Sequence, residues 1–206
     1  MATVASVLDG MRYDLRNYGD FDFDIDLLVH YLNRALKILD QRLVSMNSDQ
    51  LFTQGNVTQA DEANYATCPT GCLAIREAWI SQDRKTNVSM AELYYRRQFR
   101  TGDEAEPNFW THVQNQIQFE VPSDQEYTIK LMYDKASTAL VAGGSTMPFN
   151  DVYNDILREV TIQMCIHKKY KKDSQTDAVY AQIFDQMLQM DMVNRTWVKK
   201  EYKLDF

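Results

Sequence analysis

Three cysteines are the most reactive side chains in the sequence: Cys68 and Cys72 enclose Pro69-Thr70-Gly71, and Cys165 stands two residues before His167. A C-x₃-C pair and a Cys-x-His pair together hold the ligand types of a zinc site. The second pair fails on geometry, because residues two apart on a helix point about 200° apart and cannot face one ion together. An odd number of cysteines, in a chain whose first basic residue is Arg12 and whose amino end lacks a secretory pattern, reads as free thiols in a reducing compartment. No metal and no cofactor is expected.

Asp20, Asp22, Asp24 and Asp26 alternate through DFDFDID. A calcium loop counted from Asp20 would need Gly at its sixth position and Glu at its twelfth, where Ile25 and Tyr31 stand. An aspartyl phosphoacceptor would close an apolar strand, and Arg16-Asn17-Tyr18-Gly19 is none. The acids read instead as caps and charges at a helix amino end. Phosphate-binding, dinucleotide, zincin and nucleophile-elbow motifs are absent. His30, His112 and His167 stand apart in sequence and read as packing or surface residues. Glu120, between Phe119 and Val121, could serve glycoside cleavage only with a raised pKa and a second carboxyl group, and alternation places it on the polar face of its strand.

These side chains need elements to hold them. The 206 residues are 45% hydrophobic and 25% charged, with 7 Gly and 4 Pro, a composition that excludes disorder and a disulfide scaffold and favours helices. Val4, Val7, Leu8, Met11 and Leu15 share one helical face, so a helix spans about 3–17. A second, 24–46, is capped by Asp24 and carries Ile25, Leu28, Val29, Leu32, Leu36, Leu39 and Leu43. The polar stretch 47–66 reads as a long exposed loop, and 72–80 as a strand. Ser89-Met90-Ala91-Glu92 has the capping-box spacing and opens a helix over 89–99. Three alternating segments between 109 and 133, FWTHVQ, IQFEVP and YTIKLMY, predict a β-meander, and helices are expected at 150–172 and 176–194. The expected fold is α+β and mainly α: an antiparallel helical bundle with a small antiparallel β-meander, forming one domain over 1–196, followed by an extended C-terminal tail, 197–206.

Net charge is −7, with 22 Lys+Arg against 29 Asp+Glu, so the chain is a poor coat for nucleic acid, although DNA can slide past an acidic wall. No stretch is apolar enough for a membrane span. Lys168-Lys169-Tyr170-Lys171-Lys172 reads as the solvated cationic end of a helix. In the tail, Trp197, Tyr202, Leu204 and Phe206 interleave with Lys199, Lys200, Glu201, Lys203 and Asp205, a density of exposed apolar groups that is costly unless covered and reads equally as a disordered end or as a segment docked on a partner.

The succession of pieces resembles the head-to-tail adaptor (connector ring) proteins of tailed bacteriophages. It is carried by the amino-terminal helix, by FDIDLLVHYLNRALKIL (23–39) with Leu32-Asn33-x-Ala35, by the Pro107-x-Phe109-Trp110 to Tyr133 meander, and by Met147-Pro148 before the closing helices. The 47–66 stretch, Gly143-Gly144 and a weakly basic amino end depart from that pattern. The resemblance implies a noncatalytic virion protein, made in the host bacterial cytoplasm and placed at the head–tail junction. It implies a homo-oligomeric ring, usually dodecameric, under the portal protein, which extends the DNA channel without sequence-specific binding and receives tail tube or nozzle proteins. The carboxyl-terminal segment would lie against the portal, with Trp197, Lys199, Lys200, Tyr202, Lys203, Leu204 and Phe206 as docking residues. Two other classes fit the same residues less fully: a phage-encoded cell-wall hydrolase, and a soluble interaction domain outside any virion.

Overall fold

The computed structural model describes residues 2–19, 23–100, 103–143, 146–149, 151–169 and 178–189. The chain opens with helices α1 (Val4–Gly19) and α2 (Ile25–Ser45). Strands β1 (Phe52–Gln59), β2 (Tyr65–Thr67), β3 (Cys72–Ile80) and β4 (Asp83–Asn87) follow, then α3 (Met90–Phe99). Next come β5 (Phe109–Val113), β6 (Gln116–Phe119) and β7 (Tyr127–Lys135), and then helices α4 (Asp151–Lys169) and α5 (178–189). Two compact units result, one from 1–46 with 137–206 and one from 47–136.

In the 47–136 unit the seven strands form one sheet in the order β1-β7-β3-β4-β5-β6-β2. β7 sits between β1 and β3, antiparallel to both, and its alternate residues Tyr127, Ile129, Leu131 and Tyr133 are buried. With Ile75, Ala78, Ile80, Trp110, Ile117 and Phe119 they make the core of this unit, where each fully buried large side chain contributes roughly 1.5–3 kcal/mol. β4 joins the halves, antiparallel to β3 and parallel to β5. The terminal strands β1 and β2 lie side by side, linked by the turn 60–64, so the sheet is a nearly closed barrel. Hydrogen bonds from Gln59 Nε2 to the Ala63 carbonyl (2.7 Å) and from the Ser123 hydroxyl to the Ala60 carbonyl (2.6 Å) hold that turn.

This architecture corrects the expected fold class. Among the described residues the protein is a mixed α+β structure with a seven-stranded, nearly closed sheet and five helices, and not a mainly helical bundle with a small meander. Two misreadings account for the difference. The stretch 47–66, expected as a loop, contains β1 and the start of β2. The inward positions of β1 are Thr53, Gly55, Val57 and Gln59, so it is ordered by eight register pairs with β7 more than by an apolar face. The expected meander also breaks: β5 and β6 form a hairpin, but β6 then pairs with β2, while β7 crosses to β1 and β3. Strand 72–80 and the helix opened by Ser89 match expectation, with the Ser89 hydroxyl accepting the Glu92 N–H at 3.2 Å.

The other unit is helical. Leu28, Leu32, Leu36, Leu39 and Leu43 form the buried stripe of α2, and α4 packs on α2 and α1 with Leu157, Val160 and Met164 buried. Asp24 holds the cap position of α2, but its side chain makes no capping hydrogen bond, contrary to expectation; Asp26 supplies the first-turn negative charge. Asp40, buried on α2, accepts from the Ser137 N–H and hydroxyl, both at 2.8 Å. Burial raises the Asp40 pKa above its usual value, and the Ser137 donors oppose that rise.

Candidate interaction surface

Helix α3 contributes little to the core of its unit: among the described residues, Leu93 is its buried member. Tyr94 is half exposed, Tyr95 is 62% exposed and Phe99 70% exposed. Tyr95 and Phe99 sit edge to face, with ring centroids 4.7 Å apart. The Arg96 guanidinium lies 3.7 Å from the centroid of Phe109, a residue that β4–β5 pairing sets opposite Thr86. Arg97 anchors the helix by donating to the Phe119 carbonyl at 2.9 and 2.7 Å, and burial lowers its pKa. An open groove of about 450 Å³ runs between Glu92, Tyr95, Arg96, Phe99, Arg100, Phe109 and Glu120. Its walls are aromatic and guanidinium, the side chains enriched where proteins meet proteins.

Glu120 forms the floor of the groove. It is buried, contrary to the polar-face expectation, and accepts the backbone N–H groups of Asn108 (2.8 Å) and Phe109 (3.0 Å). Glu92 accepts from Arg96 at 2.7 Å. Both carboxylates are thus engaged as acceptors, an arrangement suited to fixing α3 and β5 and unsuited to delivering a proton to a glycosidic oxygen.

Cys68 and Cys72 come together with a third residue the sequence reading set aside. Their sulfurs and a ring nitrogen of His112 all lie within 4.8 Å of one another. Donation from the Cys72 thiol holds the Cys68 thiol well below the usual range, at about 5, and the same contact pushes Cys72 up. The Cys68 sulfur raises His112. Cys165 and His167 belong to the other unit, where Cys165 is buried on α4 and His167 Nδ1 lies 3.2 Å from the Tyr180 hydroxyl. The expected docking residues Trp197, Lys199, Lys200, Tyr202, Lys203, Leu204 and Phe206 lie outside the described residues, as do Asp20, Asp22 and three members of the basic cluster, Tyr170, Lys171 and Lys172.

The sequence matches the family model described as SU10 adaptor protein over residues 2–199. The chain belongs to that family. No curated protein matches it. The resemblance to phage adaptors therefore stands, and with it a structural role in the virion, one that works by contact with other proteins. An adaptor needs surfaces, and the exposed α3 face is a candidate that sequence reasoning missed. In YYRRQF, Tyr95 and Phe99 recur at i, i+4, a spacing that ordinarily marks a core-facing stripe; the available signal for a surface was the arginine content beside them. No described helix of the adaptor is long and apolar enough to cross a membrane.

Proposed function

We propose that the chain is the subunit of a homo-oligomeric ring, most simply a dodecamer, that docks under the portal at the head–tail junction, extends the DNA channel and receives tail tube or nozzle proteins. The observation that carries this reading is the family match across 2–199. The net charge of −7 supports a channel wall that repels phosphate and lets genomic DNA pass without sequence-specific binding. Residues 1–196 act as one adaptor domain. The tail from 197 to 206 docks on the portal, since ten extended residues reach roughly 33 Å. Trp197, Tyr202, Leu204 and Phe206 anchor there while Lys199, Lys200 and Lys203 meet acidic groups. The exposed Tyr95–Phe99 pair and the adjacent arginines of α3 meet another virion protein.

Deletion of 197–206 tests the docking assignment. The truncated protein melts as the full chain does but fails to attach to portal-bearing heads; attachment at full-length affinity would move docking to the folded body. Electron microscopy of the purified protein with the product of its genomic neighbour tests the ring. Lysis of cell walls by the purified protein would instead favour a hydrolase.

A further inference from the structure

We propose that Cys68, Cys72 and His112 form a zinc site, with water or a ligand from outside the chain in the fourth position. Three backbone features converge on it. The Cys72 N–H donates to the Pro69 carbonyl at 3.1 Å, and Gly71, at φ +80°, takes the turn position that glycine occupies most readily. The turn folds CPTGC back on itself, so both sulfurs face one point, and the three-residue spacing falls within the range of zinc-binding knuckles. The Cys68 N–H donates to the Asn115 carbonyl at 2.9 Å, which ties the end of β2 to the β5–β6 hairpin. His112 stands on that hairpin, in register with Ile117.

The donor set suits zinc. Zn–S bonds of about 2.3 Å and a Zn–N bond of about 2.0–2.1 Å in tetrahedral geometry place the ligand atoms roughly 3.5–3.8 Å apart. The observed atoms, all within 4.8 Å of one another, need to close by at most about 1.0–1.3 Å per pair. Nε2 of His112 is shut off from solvent and makes no hydrogen bond of normal geometry, so the ring carries a buried polar atom left unsatisfied beside the two sulfurs. Cys68 is buried while Cys72 and His112 are half-buried, so an ion can enter and one coordination position faces outward. Two thiolates and an imidazole select zinc over the hard cations. The ion would staple the β2–β3 turn to β5. The expectation of no zinc rested on Cys165 and His167 as the second half of a site; the partner the fold supplies is His112.

The test is metal analysis of the full-length protein, produced in zinc-supplemented medium and dialysed, together with cobalt(II) titration of the chelator-stripped chain. The proposal expects one zinc per chain, a thiolate-to-cobalt charge-transfer band with intense tetrahedral ligand-field bands, and a lower melting temperature after chelation. C68S, C72S and H112A each lose the metal and C165A keeps it. Because a ligand variant could fail to fold, the cobalt spectrum of the unmutated chain stands as an independent readout. Substoichiometric zinc without a charge-transfer band would overturn the site. So would zinc retained equally by the three variants, or a Cys68–Cys72 disulfide in protein isolated without reductant.

Discussion

Asn33 and Leu140, separated by 107 positions, hold each other through a reciprocal pair of hydrogen bonds: the Leu140 N–H donates to Asn33 Oδ1 at 2.7 Å, and Asn33 Nδ2 donates to the Leu140 carbonyl at 3.0 Å. A carboxamide here imitates the edge of a β-strand. Asp40, two helical turns further along α2, binds Ser137 in the same incoming segment. Seven helical residues rise about 10.5 Å, and three extended residues span about 10 Å, so the two grips match the length of 137–140.

Replacing Asn33 with Ala strips both backbone groups of Leu140 of their partners. With roughly 1–3 kcal/mol lost per unsatisfied buried group, N33A is expected to lower stability by about 2 kcal/mol or more, read as a reduced urea midpoint. N33D keeps the acceptor, loses the donor and should fall between.

The raised Asp40 pKa sets a pH dependence. A folded-state pKa above the ordinary value of 3.8 means the native state holds its proton more tightly than the unfolded chain. Asp40's contribution to stability is therefore most favourable below 3.8, declines as pH rises from there through the folded-state pKa, and levels off above it. D40N removes this decline. The stability difference, D40N minus the unmutated chain, should grow with pH across that window, and a flat difference in denaturation series would count against the assignment.

Arg76 links β3 to β7 through Asp134, with Nε donating to Oδ2 at 3.1 Å and a second guanidinium nitrogen 2.8 Å from Oδ1, while a third contact reaches Asp49 at 3.0 Å. The bond to Asp134 is the main cause that raises the Arg76 pKa. Asp134 is buried, but after D134A the Arg76 guanidinium keeps Asp49 and the Ser48 carbonyl, so the loss should be about 1–3 kcal/mol in chemical denaturation. R76K loses the fork geometry and is expected to be destabilised as well.

At Gly71 an added Cβ would meet Lys135 Cγ at 3.7 Å, an ordinary contact, so the penalty for G71A is conformational. A φ of +80° should make it about 1–2 kcal/mol, measured as a lowered melting temperature.

What the residues disclosed before the structure depended on where burial dictated pattern. The α2 stripe from Leu28 to Leu43 and the Ser89 cap were legible because helical period and capping chemistry are local. β1 was not, since Thr53 and Gly55 face inward and order there comes from pairing with β7, 68 to 82 residues away. β4, DRKTN, lacks the apolar alternation of a strand; its inward Lys85 is neutralised by Glu106, a partner no local window contains. The Cys68–Cys72–His112 cluster was half visible: the C-x₃-C spacing is local, whereas His112 arrives only through the hairpin bonded at Cys68.

The ninety residues of 47–136 are inserted between the two parts of the helical unit. On a ribosome adding about 5–20 residues per second, α2 emerges roughly 5–20 s before Ser137 and Leu140 exist to bind it. Throughout that interval the leucine face of α2 is without its native cover, and the barrel, whose strands are contiguous in the chain, can close first. The nascent chain can thus hold its first helices waiting while its middle closes into the barrel.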